Sequence, residues 1–217
     1  MRLFAAVRPP TAVLAHLDLA LSVVTGPLGP EASRGAVRWT APENRHLTTA
    51  FYGEVPDGAL PDLLAALEVV AASIPPFEVR LHGAGVFSGR TLWIGAAGDV
   101  RALAGLSSLA ADAGREVALP YEDRTRSRAH LTVARLGRSA SSRRPPRREQ
   151  KLGAGGLQDL AHALALYDGP VWQVRELLLV RSRPGEGPSG GPRYDDLAAL
   201  PLGPSSENAS VEPSAQH

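Results

Sequence analysis

The 217-residue sequence contains no cysteine, and aromatic residues make up only 5% of the chain. The absence of cysteine excludes disulfides, thiolate nucleophiles and cysteine-ligated metal sites. No uncharged apolar run reaches the roughly eighteen residues that a membrane-spanning helix needs. The first ten residues also lack the apolar stretch of a secretory signal. We therefore expect a cytoplasmic protein with no membrane partner.

What the sequence does contain is a hydrophobic fraction of 44%, which is enough for a folded core, and a formal net charge of only +1. The near-balance conceals a basic segment, Arg138–Lys151, which has six basic residues against Glu149 alone. Arginine suits phosphate contacts, so this segment is a candidate for binding an RNA backbone. A solvated loop is the simpler interpretation.

The hydrophobic pattern alternates between strand and helix periods, which is typical of an α+β protein. It predicts strands at 2–7, 37–40, 45–52, 77–87, 91–97, 128–136, 171–181 and 194–202, and helices at 11–24, 57–73, 99–113 and 157–164. Asp99 is the predicted N-cap of the third helix and Gly114 its predicted end. We expect one domain over 1–202 and a disordered tail over 203–217, because the tail has no periodicity.

Two segments of the chain share the pattern His-Leu-Thr-x-Ala, at 46–50 and at 130–134. Alternate residues of a strand point to the same face, so each histidine shares a face with the threonine two positions later. The same alternation puts Ala50 and Ala134 on that face, where a small residue leaves room for a ligand. It predicts core positions on the opposite face for Leu47, Phe51, Leu131 and Val133.

Two imidazoles and two hydroxyls fit in-line displacement at a phosphodiester. A neutral imidazole can accept a proton from water, while a protonated one can donate to the leaving oxygen. Threonine hydroxyls can donate to phosphate oxygens as charge develops. Neither segment has an adjacent carboxylate, so the sequence predicts no metal site and no cofactor. One His-x-Thr triplet is a weak signal, but two copies in matching contexts are much stronger.

The sequence resembles a known family over nearly the whole of residues 1–202: the two-histidine (2H) phosphoesterases. It is most similar to the bacterial and archaeal RNA 2′,3′-cyclic phosphodiesterases, historically called 2′-5′ RNA ligases (LigT-like). The similarity is carried by both His-x-Thr segments and by Arg2–Ala6, Val37–Trp39, Pro42–Arg45, Phe51–Val55, Phe87, Leu92–Trp93, Arg135, Trp172, Glu176–Ser182 and Tyr194.

The resemblance implies a bilobal, pseudo-symmetric α+β fold in which two antiparallel sheets line a central cleft, with helices outside. It implies metal-independent hydrolysis of a terminal RNA 2′,3′-cyclic phosphate to a 2′-phosphate. By this analogy His46 is the proton donor, His130 is the proton acceptor, and Thr48, Thr132 and Arg135 bind the phosphate. The order of the two histidine roles comes from the family alone, since the two segments are alike.

Arg135 conflicts with simple alternation, because it lies five residues after His130 and would point to the opposite face. A bulge or a strand end is needed to direct it towards the phosphate. Trp39, Phe51, Tyr52, Trp93 and Tyr194 are core candidates that include possible base-stacking residues.

The expected partner is an RNA 3′ end with a 2′,3′-cyclic phosphate, and we expect a monomer. Two alternatives remain open. The protein could be a 2H esterase for a small cyclic nucleotide or a 2′-5′ linkage, with ligation as the reverse reaction. It could also be an RNA-end-binding protein without turnover.

Overall fold

The computed structural model describes residues 1–25, 37–117, 129–137 and 154–204. Within these ranges the chain forms nine strands and four helices, which confirms the α+β prediction. The strands are β1 (Arg2–Val7), β2 (Val37–Trp39), β3 (Leu47–Glu54), β4 (Phe77–Phe87), β5 (Thr91–Gly98), β6 (His130–Leu136), β7 (Trp172–Val174), β8 (Glu176–Arg183) and β9 (Arg193–Pro201). The helices are α1 (Thr11–Thr25), α2 (Leu60–Ser73), α3 (Val100–Glu116) and α4 (Ala154–Ala163).

The strands form one curled antiparallel sheet in the order β7-β4-β5-β6-β3-β1-β8-β9, with β2 paired to β6. We call β7-β4-β5-β6 with β2 the His130 half, and β3-β1-β8-β9 the His46 half. A short pairing between β3 and β6, in which Leu47 opposes Leu131, joins the halves. The two expected sheets are therefore continuous with each other at the centre of the molecule.

The described helices cover one side of the sheet, and we call the other side the cleft face. In the His46 half α3 packs on β3 and α2 packs on α3, while in the His130 half α4 packs on β4 and β5. The main core lies between helices and sheet and includes Leu47 and Leu131, both fully buried. A second, smaller apolar cluster lies on the cleft face of the His46 half, formed by Phe4, Ala6, Leu178 and Val180 with Phe51 and Tyr194 beside them.

The ends of α3 show one correct and one wrong expectation. Asp99 caps the helix as predicted, with its carboxylate accepting from the Ala102 N–H at 2.9 Å. Gly114 does not end the helix, which continues to Glu116. A Cβ at Gly114 would lie 2.8 Å from the ring of Tyr52, so this glycine allows close packing of helix and strand. Tyr52 is a core residue, and its hydroxyl donates to the Ala110 carbonyl at 2.9 Å.

Both His-x-Thr strands contain a β-bulge directly after the threonine, and this corrects the predicted alternation. Thr48 opposes Ala6 and Ala50 opposes Ala5, so that Thr49 is the extra residue of β3. In β6 Thr132 opposes Trp93 and Ala134 opposes Leu92, so that Val133 is the extra residue. Both residues of a bulge face their single partner, which places Ala50 and Ala134 in the buried core rather than beside the histidines.

After each bulge the next residue returns to the cleft face. Phe51 therefore lies in the cleft-side apolar cluster and not in the main core, contrary to the prediction. Arg135 likewise takes the same face as His130 and Thr132. The bulge that simple alternation required for Arg135 is present one residue before it.

Gly203, the first residue of the predicted tail, donates its N–H to the Ala71 carbonyl at 3.1 Å. The remainder of the predicted tail, 205–217, lies outside the described residues, as does the basic segment 138–151. Among the helices of the described part of the chain, none is long and apolar enough to cross a membrane.

Candidate active site

The pairing of β3 with β6 brings the two His-x-Thr segments to one place on the cleft face. Leu47 and Leu131 are direct partners on the core face. Extending this antiparallel register by one residue in each direction pairs His46 with Thr132 and Thr48 with His130. Diagonal neighbours in such a pair have Cα atoms roughly 7–8 Å apart, which is the expected separation of the two histidines. Two imidazoles and two hydroxyls therefore surround one small area.

His46 lies immediately before β3 and is held on three sides. Its Nδ1 donates to the Asn44 carbonyl at 3.0 Å, because a carbonyl can only accept. Its ring stacks on Phe4, with centroids 4.7 Å apart and planes at 26°, and meets the Tyr194 ring edge-on at 5.2 Å. Nε2 is therefore the ring nitrogen that remains for a substrate.

The turn that precedes His46 is fixed by Arg45, whose side chain is only 3% exposed. Its Nη1 donates to Asp18 on α1 at 2.6 Å, and its Nε donates to the Thr40 carbonyl at 3.1 Å. These contacts tie both ends of the turn to the fold, so the Asn44 carbonyl is held where it meets His46. The residues directly before His46 therefore position it through the buried side chain of Arg45.

Burial lowers the pKa of His46 from 6.5 to about 4, and the positive charges of Arg8 and Arg135 act in the same direction. The hydrogen bond to Asn44 and the charge of Asp196 oppose this effect without cancelling it. Arg8 is itself held by two hydrogen bonds to Asp196, at 2.6 and 2.8 Å. His46 is therefore a neutral imidazole near neutral pH in the unliganded protein.

His130 is half-buried at the start of β6 and also lies against two aromatic rings. Phe87 meets it edge-on with centroids 4.8 Å apart, and Trp93 lies at 6.2 Å. Phe87 and Trp93 stack on each other at 5.1 Å. The indole of Trp93 lies against Gly85, where a Cβ would clash with the ring, so glycine allows this close approach.

The two threonines and Arg135 complete the group of residues singled out in the sequence. Thr48 is exposed, Thr132 is half-buried and Arg135 is exposed. The positive charge of Arg135 acts to lower the pKa of both His46 and Tyr194, although Arg135 comes from the other half of the sheet. By contrast, Thr49 is buried and its Oγ1 has no hydrogen-bond partner among the described residues.

Some site residues could not be identified from the sequence. Phe4, Asn44 and Arg45 were visible only as parts of the family pattern, and Arg8 carried no signal. The base-stacking candidates lie in different places. Tyr52 is in the core, whereas Tyr194 contacts His46 and Trp93 contacts His130. Over the described ranges there is no cluster of three or more His, Asp or Glu side chains that could hold a metal ion.

Comparison with known proteins places this chain in one group of relatives. The family described as LigT like Phosphoesterase matches residues 18–93. An RNA 2′,3′-cyclic phosphodiesterase from Thermus thermophilus is 32% identical over 165 residues, which cover 70% of this chain and 79% of that protein. A protein of the same name from Geobacillus stearothermophilus is 30% identical over 170 residues, or 76% of this chain. The match spans only 47% of the Geobacillus protein's length.

Solved structures show the same fold. The crystal structure of a Thermus thermophilus protein superposes with a TM-score of 0.64 at 27% identity, covering 94% of this chain and 99% of that one. Escherichia coli LigT in its apo form also has a TM-score of 0.64, at 22% identity. This chain belongs to the LigT-like 2H phosphoesterase family.

Proposed function

We propose that this protein hydrolyses the terminal 2′,3′-cyclic phosphate of RNA to a 2′-phosphomonoester, with the two histidines as the proton-transferring pair. The observation that supports this proposal most directly is the register of β3 against β6. In this register Leu47 opposes Leu131, which supports a common face for His46, Thr48, His130 and Thr132. The curated relatives described above are named for the same activity.

The reaction is a single displacement at phosphorus. A water oxygen forms a bond to phosphorus while the P–O3′ bond breaks, so that the phosphate remains on O2′. His130 accepts the proton of the attacking water, and His46 donates a proton to the departing O3′. Thr48, Thr132 and Arg135 donate hydrogen bonds to the non-bridging oxygens, where negative charge increases in the transition state.

The donor role places a condition on His46, because its pKa of about 4 leaves it neutral in the free protein. A bound phosphate brings negative charge next to the imidazole and favours its protonated form. We therefore propose that His46 takes up a proton as substrate binds. The Nδ1–H bond to Asn44 directs that proton to Nε2, which is the nitrogen that must face O3′.

The test uses a short RNA that ends in a 2′,3′-cyclic phosphate, with ³¹P NMR to follow the product. The wild-type protein is expected to form a 2′-phosphate, with unchanged rate in the presence of a chelator. His46→Gln and His130→Gln are each expected to lower kcat by about 10²–10⁴-fold, the usual contribution of a positioned acid or base. Circular dichroism checks that both variants remain folded.

Each other outcome identifies a different function. Tight binding with no conversion by stoichiometric wild-type protein indicates an RNA-end-binding protein. Preference for a mononucleotide cyclic phosphate over the RNA indicates a small-molecule esterase. Full activity in either histidine variant would overturn the proposed mechanism.

A further inference from the structure

A second group of charged side chains lies on the cleft face of the His130 half, outside the proposed catalytic group. Arg80 and His82 both belong to β4, and Asp168 follows α4 in the chain. Asp168 Oδ1 accepts from Arg80 Nε at 2.5 Å and lies 3.3 Å from His82 Nδ1. We call these three residues the Arg80 cluster.

The Arg80 cluster is in register with His130 across the sheet. His82 opposes Gly95 on β5, and Gly95 opposes His130 on β6. Opposed residues point to the same face, so His82 and His130 flank a position that has no side chain. Two strand spacings separate their backbones by roughly 10 Å. A Cβ at Gly95 would lie 2.8 Å from the His82 carbonyl, which keeps this position open.

The corresponding position in the His46 half is closed. Val7 opposes Leu47 in the His46 half, and Ile94 opposes Leu131 in the His130 half. The next residue of the chain is Arg8 in the first case and Gly95 in the second, so these two positions correspond. Arg8 is occupied by its two hydrogen bonds to Asp196. The cleft beyond it is filled by the apolar cluster around Phe4 and Tyr194. Among the residues that the structure describes, a polymer that ends between the two histidines therefore has an open course past Gly95.

The contacts within the Arg80 cluster leave its binding atoms available. Asp168 engages Arg80 through Nε and His82 through Nδ1, so within the described ranges the terminal Nη atoms of Arg80 and the Nε2 atom of His82 remain for a ligand. The side chains of Arg80 and His82 are 35% and 48% exposed. A guanidinium held in this way can donate two parallel hydrogen bonds to a phosphate.

We propose that the Arg80 cluster binds the phosphodiester on the 5′ side of the terminal nucleotide, so that the RNA chain leaves the active site along β4 and β5. This inference rests on the proposed function, because it takes a terminal cyclic phosphate to lie between His46 and His130. It makes the protein selective for an oligonucleotide end over a mononucleotide. The selectivity comes from the sugar–phosphate chain and not from the base.

The experiment compares three substrates: adenosine 2′,3′-cyclic phosphate, a dinucleotide with the same terminus, and that dinucleotide with a neutral methylphosphonate linkage. The wild-type protein should have a kcat/KM about tenfold higher for the charged dinucleotide than for the other two, as one charge-assisted contact gives. Arg80→Gln should remove this advantage and leave the mononucleotide rate within about twofold. His82→Gln should reduce the same advantage. Arg101→Gln, at an exposed position of α3, is the matched control and should behave as wild type.

Salt provides an independent measure of the same contact. For the charged dinucleotide, the slope of log kcat/KM against the logarithm of the salt concentration should be less steep in Arg80→Gln than in wild type. The expected difference in slope is about 0.7, the value for one phosphate contact on a single strand. Equal wild-type rates on all three substrates, or equal losses on all three in Arg80→Gln, would overturn the inference and leave the proposed function intact. No turnover of any substrate by the wild type would overturn the proposed function itself.

Discussion

The two halves of the sheet present the same His-x-Thr unit in different surroundings. In the His46 half, the cleft face carries an apolar cluster, and His46 is enclosed by Phe4 and Tyr194 with Nδ1 bound to a carbonyl. In the His130 half, the histidine meets Phe87 and Trp93 on one side and the open position of Gly95 on the other. A duplicated unit can thus supply unlike groups, because the protonation and access of an imidazole depend on its neighbours.

The residues that follow the two bulges extend this contrast. Phe51 and Arg135 occupy equivalent positions, since each is the first residue to return to the cleft face. Phe51 joins the apolar cluster and has the guanidinium of Arg2 4.9 Å above its ring centroid. Arg135 remains exposed and places a cation near His46 in the opposite half. The bulge fixes the direction of the side chain, and the residue type fixes what it contributes.

The largest expected effect concerns the pH dependence of stability. The pKa of His46 is lower in the folded protein than in the unfolded chain, so the unfolded chain takes up a proton first as the pH falls. The free energy of unfolding should therefore be highest above pH 6.5 and should decrease as the pH falls towards 4. This decrease amounts to at most about 3 kcal/mol of unfolding free energy. Urea denaturation of wild type and His46→Gln at pH 7 and pH 4.5 measures it. The variant should lose less stability on acidification than wild type.

His130→Gln is the matched control for this measurement, since it leaves the enclosed histidine in place. It should lose stability between pH 7 and pH 4.5 as wild type does. An acid loss that is the same in wild type and both variants would show that His46 is not neutralised by its surroundings.

The next effect concerns Arg135, which is proposed to bind the phosphate from the His130 half. Arg135→Gln should lower kcat/KM on the RNA substrate roughly 30-fold. This corresponds to a loss of about 2 kcal/mol of transition-state stabilisation, as expected for a lost charge-assisted hydrogen bond. Arg90→Gln, in the turn after β4, is a comparison at another exposed arginine and should stay near the wild-type rate. Equal rates for Arg135→Gln and Arg90→Gln would remove Arg135 from the site.

The smallest effect distinguishes two adjacent threonines. Thr48→Val should lower the transition-state stabilisation, measured by kcat/KM, by about 1 kcal/mol, the value of one neutral hydrogen bond. Thr49→Val removes a buried hydroxyl that has no partner and should change activity and unfolding free energy by less than about 0.5 kcal/mol. The latter variant converts the first motif into a copy of the second, which has Val133 at this position. A larger loss from Thr49→Val than from Thr48→Val would exchange their roles.

The sequence was sufficient to predict the strand faces of His46, Thr48, His130 and Thr132, because a period of two holds over three residues. It failed at Ala50 and Ala134, which belong to a bulge, and at Phe51, which follows one. A bulge depends on the pairing with β1 or β5, which are far from the motifs in the chain. Local periodicity carries no information about that pairing.

Gly114 and Asn44 illustrate two other limits of the sequence. Gly114 follows the usual pattern of a helix end, yet its role is to admit the ring of Tyr52, a contact 62 residues away in the chain. The function of Asn44 lies in its backbone carbonyl, which any residue could supply. The contact that orients the His46 ring and the packing of α3 on Tyr52 therefore could not be predicted from the local sequence.

The central claim, that the two histidines act on opposite ends of one displacement, is tested most directly by a change of leaving group. An RNA end whose O3′ is replaced by sulfur releases a thiolate, which needs no proton donor because a thiol ionises near pH 8.5. His46→Gln should recover most of the wild-type rate on this substrate, whereas His130→Gln should remain slow because it lacks the base. Recovery by His130→Gln alone would reverse the two roles, and recovery by neither variant would contradict the account.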